Sequence, residues 1–246
     1  MQNFRAIRVI RENWILYLLI LASCARPGAE HSYGLKDSIG VAPPYIAPIE
    51  VDTFQVINDN KLEMTKQYAL ENYGFEDYHL DTPRIVLVHY TAIGDLDATL
   101  NLFKRDLIAS DRKDISKFSQ LNVGIHYVVA KDGRIFHLTP DTIIARHVIG
   151  LNHVSLGIEN VAADSTELTD AQLESNVRLI AFLKNKHPTI EFVTGHHEYN
   201  DTGLPHFKHY LEKNAAYKPH GKIDPGNGFM TRLRRRLADD GLVLQK

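Results

Sequence analysis

Cysteine is nearly absent: Cys24 is the only one in 246 residues, so a monomer cannot close a disulfide even in an oxidising compartment. Charge excess is also lacking. A net charge of −2 excludes a dedicated nucleic-acid binder, which carries a basic surplus, and no nucleic-acid partner is expected. The chain has no internal repeat, and its apolar run at residues 14–21 is too short to span a bilayer as a mature helix. What is present is ordinary: 44% apolar and 24% charged residues describe a soluble globule with length for one domain, or one domain plus a tail.

The short apolar run does have a meaning. Arg5, Arg8 and Arg11 precede it, and small residues follow, which is the pattern of a secretory signal. Leu21-Ala22-Ser23-Cys24 resembles the lipobox of bacterial lipoproteins, which implies lipidation of Cys24 and removal of residues 1–23. Ala25 is unlike an inner-membrane retention residue, so an outer-membrane lipoprotein facing the periplasm is expected, anchored to the membrane through Cys24. Residues 24–57 lack sustained periodicity and carry Pro27, Pro43, Pro44 and Pro48, as a tether would. Residues 58–246 are read as the domain, with a monomer expected.

Within it, residues 60–73 have near-helical apolar spacing. Ile85-Val86-Leu87-Val88 then reads as a strand buried on both faces, with His89 standing where the run ends. Asp95 or Asp97 caps a helix bearing Leu100, Phe103 and Leu107 on one face. Residues 123–130 and 135–138 form a hairpin about the Asp132-Gly133 turn. Residues 154–161 give another strand. Thr169 and Gln172 make a capping box for a helix reaching about Lys186. A strand at residues 190–194 leads into Gly195-His196-His197-Glu198, and a last helix covers residues 229–238 with Arg232, Arg234, Arg235 and Arg236 on its wet face. Strands alternating with helices imply a single α/β domain, a mixed central β-sheet flanked by helices.

Two apolar strands thus end in histidine, His89 and His196. Strand carboxyl ends are where α/β sheets collect ligand sites. A hydrolytic zinc site takes three protein ligands from His, Asp, Glu and Cys and keeps one position open. Asp224, in the rigid turn Lys222-Ile223-Asp224-Pro225-Gly226, fits as the third.

The ordered set Val88-His89-Tyr90-Thr91-Ala92, Gly124-Ile125-His126-Tyr127, Ser155-Leu156-Gly157-Ile158-Glu159, Gly195-His196-His197-Glu198 and Lys222-Ile223-Asp224-Pro225-Gly226 resembles the zinc-dependent N-acetylmuramoyl-L-alanine amidases, relatives of phage amidase-type lysozymes and peptidoglycan recognition proteins. The likeness spans about residues 80–240. It implies Zn2+ held by His89, His196 and Asp224 at the strand ends, Glu159 as general base and Lys222 as oxyanion stabiliser. The implied reaction is hydrolysis, by zinc-activated water, of the amide between the muramic-acid lactyl group and L-alanine of the peptidoglycan stem peptide, in cell-wall turnover or recycling. His147 matches a position lining the family's substrate groove, and Asn152 lies before the Glu159 strand; both are expected to contact substrate. His126 reads as structural. Residues 200–221 form an unusually long insertion whose His206, His209 and His220 are rival ligands. The alternatives are a non-hydrolytic peptidoglycan-binding receptor on the same fold and a zinc peptidase cutting within the stem peptide.

Overall fold

A computed structural model describes residues 49–80 and 82–246; Cys24 and the expected signal peptide lie outside the described residues. The elements in chain order are β1 (Asp52–Thr53), α1 (Asp59–Tyr73), β2 (Ile85–Tyr90), α2 (Leu96–Lys104), a one-turn α3 (Lys113–Ser116), β3 (Tyr127–Val129), β4 (Ile135–His137), β5 (Ser155–Asn160), α4 (Asp170–Lys186), β6 (Phe192–Gly195) and α5 (Asn227–Asp239). They form a single mixed α/β domain whose six-stranded sheet has the order β1-β4-β3-β5-β2-β6. Among the described residues no helix is long and apolar enough to cross a membrane.

Local signals explain most boundaries. The Asn58 side chain accepts from the Lys61 N–H to open α1, and Asp95 does the same for α2 through Ala98. The capping box at α4 is complete, Thr169 Oγ1 accepting from Gln172 N–H and Gln172 Oε1 from Thr169 N–H. Gly133, with φ of 88°, makes the turn between the antiparallel strands β3 and β4, where an L side chain would be strained.

β2 lies between β5 and β6 and is parallel to both. Ile85, Val86, Leu87 and Val88 are completely buried, each side chain contributing about 1.5–3 kcal/mol by leaving water. The main core gathers Tyr68 and Tyr73 of α1, Leu173, Val177 and Ile180 of α4, and Met230, Leu233 and Leu237 of α5 around the sheet; Leu100 and Phe103 of α2 pack with Ile125, Val128 and Val161 in a second cluster.

One stretch differs from expectation. Part of the segment read as tether is docked: Asp52 and Thr53 pair parallel with Phe136 and His137, and Val56 is buried. A two-residue edge strand draws its hydrogen bonds from the neighbouring backbone and needs no side-chain periodicity of its own.

Parallel pairing places the chemistry. His89 lies beside Glu159 in register, and Val88 beside Gly195, so His89, Glu159 and His196 emerge at one carboxyl edge of three adjacent strands.

Candidate metal centre and active site

At that edge His89 Nδ1 lies 3.0 Å from His196 Nδ1 and 3.2 Å from Asp224 Oδ2, and His196 Nδ1 is 3.0 Å from the same carboxylate oxygen. All three residues are buried, and their ligand atoms cluster closely enough to hold one metal ion. Asp224 is brought in by its own backbone, its carbonyl accepting from His197 N–H at 2.8 Å. The turn bearing His196 is fixed by Glu198, which accepts from Gly195 N–H at 2.9 Å and is held bidentately by Arg234 of α5. Arg234 is thus a half-buried partner of the site turn and not part of a wet face; Arg232 and Arg235 are exposed, as expected.

The protonation states suit a cation. Burial, reinforced by the neighbouring His89, lowers the His196 imidazole to about 4. Burial would raise the Asp224 carboxyl, but the His196 and His89 contacts outweigh it and hold the group well below the usual carboxylate range. A neutral imidazole beside an ionised carboxylate is what a divalent metal requires. Two imidazole nitrogens and one carboxylate oxygen form a set that fits Zn2+ and leaves a coordination position open.

Glu159 stands beside this cluster with its Oε2 atom buried and without a hydrogen-bond partner. Burial, and then the Asp224 charge, push its carboxyl well above the ordinary value, with Lys222 opposing. Lys222 is half-buried, and burial lowers its ammonium group against the pull of Asp224. Both line a cleft of about 350 Å³ together with His89, His147, Arg112 and Tyr90.

The rival ligands of the insertion point elsewhere, as does His197, the neighbour of His196 that could have competed with it. His197 Nε2 lies 2.9 Å from Asn227 Oδ1 and its Nδ1 3.2 Å from the Asp224 carbonyl. His206 donates to the Tyr199 carbonyl, and His209 rests edge-on against Phe192. His220 lines the cleft outside the cluster. His126 donates to the Ile143 carbonyl and accepts from Gly157 N–H, so both ring nitrogens serve backbone.

His147 and Asn152 border the cleft. Asn152 is fully buried; its Oδ1 accepts from His147 and Val148 N–H, and its Nδ2 donates to Tyr68 Oη. His147 Nδ1 lies 3.0 Å from His89 Nε2. Glu198 and Arg234 were missed from sequence; the only hint was a glutamate three residues after Gly195, poised to reach back to that N–H.

Two histidines and a carboxylate converging at strand carboxyl ends, beside an unpaired glutamate and a lysine in one cleft, have the form of a hydrolytic metal centre. Residues 79–227 match the family model described as N-acetylmuramoyl-L-alanine amidase (Amidase_2), and the chain belongs to that family. Similar solved structures include the amidase LysC from Clostridium intestinale URNW (21% identical, TM-score 0.43, covering 64% of this chain and 86% of that chain). Others are a selenomethionine derivative of AmpD (22%, 0.46, 63% and 84%) and Drosophila peptidoglycan recognition protein SA (15%, 0.39, 62% and 84%). No curated protein matches the chain.

Proposed function

We propose that this protein is a zinc-dependent N-acetylmuramoyl-L-alanine amidase of cell-wall turnover or recycling. It hydrolyses the bond between the lactyl carbonyl of muramic acid and the L-alanine nitrogen of the stem peptide. The observation that carries the reading is the convergence of His89 Nδ1, His196 Nδ1 and Asp224 Oδ2 beside the unpartnered Glu159 carboxylate.

When bound, Zn2+ supplies a Lewis acid that polarises a carbonyl and lowers the pKa of water. Glu159 takes the proton of the attacking water as the C–O bond forms, and returns it to the L-alanine nitrogen as the C–N bond breaks. A carboxyl raised above its ordinary value by burial holds a proton more firmly than an exposed one, which suits it to both steps. Lys222 offsets the negative charge that builds on the carbonyl oxygen, and burial strengthens that interaction.

The test is mass spectrometry of defined muropeptides after incubation with the zinc-loaded protein. The expected products are a sugar with a free lactyl carboxylate and a stem peptide beginning with L-alanine. Glu159→Gln should lower the rate by about 10²–10⁴-fold with zinc still bound. Undiminished turnover in that variant would sink the assigned roles. Products cut within the stem would mark a peptidase, and binding without cleavage a receptor.

We also propose that Cys24 is lipidated and that the protein faces the periplasm from the outer membrane. Palmitate labelling should disappear in Cys24→Ser, and a wild-type protein that takes no label would refute the anchor.

A further inference from the structure

His89 has two ring nitrogens, and only Nδ1 faces His196 and Asp224. A neutral imidazole carries one proton, so His89 can offer a lone pair there only if that proton sits on Nε2. Asp224 Oδ2, 3.2 Å from Nδ1, draws that proton forward in the metal-free protein, and the hydrogen bonds behind the ring, the nearest of them shorter at 3.0 Å, draw it back. They begin at a group with no choice: the Leu151 carbonyl can only accept, and Ser155 Oγ donates to it at 2.8 Å. The serine has spent its single proton, so towards His147 Nε2, 3.3 Å away, it accepts. His147 therefore carries its proton on Nε2 and leaves Nδ1 bare. That nitrogen lies 3.0 Å from His89 Nε2 and accepts from it.

We infer that His147 is a positioning residue which fixes the tautomer and ring orientation of His89, so that Nδ1 is presented to the metal. This rests on reading the three-residue cluster as a metal site, and it gives His147 a task other than the substrate contact expected from sequence.

The surroundings are built for the ring. Ser155, Gly157 and Glu159 alternate along β5 and so share one face of the sheet. A Cβ at Gly157 would lie 2.4 Å from Ile125 Cδ1 and 2.9 Å from both His147 Nδ1 and Cε1. Only glycine there leaves room for the imidazole against the strand. Asn152 clamps the His147 backbone from the other side, at 2.9 Å. One row of β5 thus orients the first ligand through His147 and supplies the candidate base through Glu159.

The experiment has two arms on the purified protein. Nitrogen-15 NMR of the metal-free wild type reads the His89 tautomer directly, and the expected state has the proton on Nε2. Competition with a chromophoric chelator then measures zinc affinity in His147→Leu, which cannot accept from His89, and in His147→Asn, whose side-chain oxygen stands near the lost nitrogen. Zinc binding should weaken about 10–100-fold in the leucine variant and recover most of that loss in the asparagine variant, with melting temperature reported for each. Wild-type zinc affinity in His147→Leu with only KM raised would overturn the inference and return His147 to the substrate groove. A proton on His89 Nδ1 in the metal-free protein would overturn it as well. Failure of the wild type to take up zinc would refute the metal reading instead, and the tautomer measurement would still decide the role of His147.

Discussion

Arg234 should be the most costly arginine on α5 to remove, although the sequence places it in a run of four near the C-terminus. Its guanidinium meets the Glu198 carboxylate through two nitrogens and also donates to the Val193 carbonyl at 3.0 Å. The side chains are 17% and 10% exposed, so the pair is nearly but not wholly out of water. Arg234→Met keeps the apolar stem and removes the charge, leaving Glu198 with only the Gly195 N–H and Val193 with an unsatisfied oxygen. Breaking a fully buried pair costs about 3–5 kcal/mol; residual water access brings the expectation to about 2–3 kcal/mol at pH 7. For a domain of this size that is roughly a 4–12 °C fall in Tm. The effect has a pH signature. Burial would raise the Glu198 carboxyl, but Arg234 and the Gly195 N–H outweigh it and hold it below its ordinary 4.5. A depressed carboxylate stabilises the fold above its unfolded pKa and loses that contribution as pH falls through the folded value. The gap between wild type and Arg234→Met should therefore be widest near neutrality and narrow below about pH 4. Urea titrations at several pH values measure it. A loss under about 0.5 kcal/mol at pH 7, or one independent of pH, would refute the assignment of Glu198–Arg234 as the clamp on the His196 turn.

Glu212 presents the opposite sign: burial pushes its carboxyl up to about 7, and its Oε2 has no partner. Between about pH 4.5 and 7 the folded state holds the extra proton, so stability falls as pH rises through that window. Glu212→Gln should remove this slope and gain about 1–2 kcal/mol at pH 8, a figure already reduced for the group's partial exposure; thermal melts at pH 5 and 8 with parallel slopes in both proteins would contradict it. Free Zn2+ at 100 times its dissociation constant should stabilise the folded protein by about 2.7 kcal/mol, and a chelator should reverse the shift. A melting curve indifferent to both would argue against the metal centre.

How much was legible in the sequence depended on how local each cause was. β2, the Thr169 capping box and the Asp132-Gly133 hairpin are short-range effects, written in adjacent residues, and they stand where expected. His89, His196 and Asp224 were legible because each sits at an element end with its own motif; parallel register brings the two histidines together, and the turn before α5 adds Asp224. The edge strand at Asp52–Thr53 was not legible, since its stability is borrowed from the backbone of β4. Nor was Arg234, whose meaning depends on a glutamate 36 residues earlier and on α5 packing beside β6. His147 was visible as a residue near the cleft, but its contact with His89 follows from the space above Gly157, which only the folded sheet defines.

The chain separations within the cluster carry a consequence for what holds it together. His89 and His196 are 107 residues apart, His196 and Asp224 a further 28, and the outer pair 135. Gathering them closes two loops, and three side-chain contacts cannot repay that entropy in an open chain. β6 must already lie on β2, and the turn before α5 must already be docked, for Asp224 to arrive. Contacts this distant in sequence carry a loop-closure cost that the rest of the fold must offset. The three-residue cluster is thus a property of the finished topology and not of any one segment of the chain.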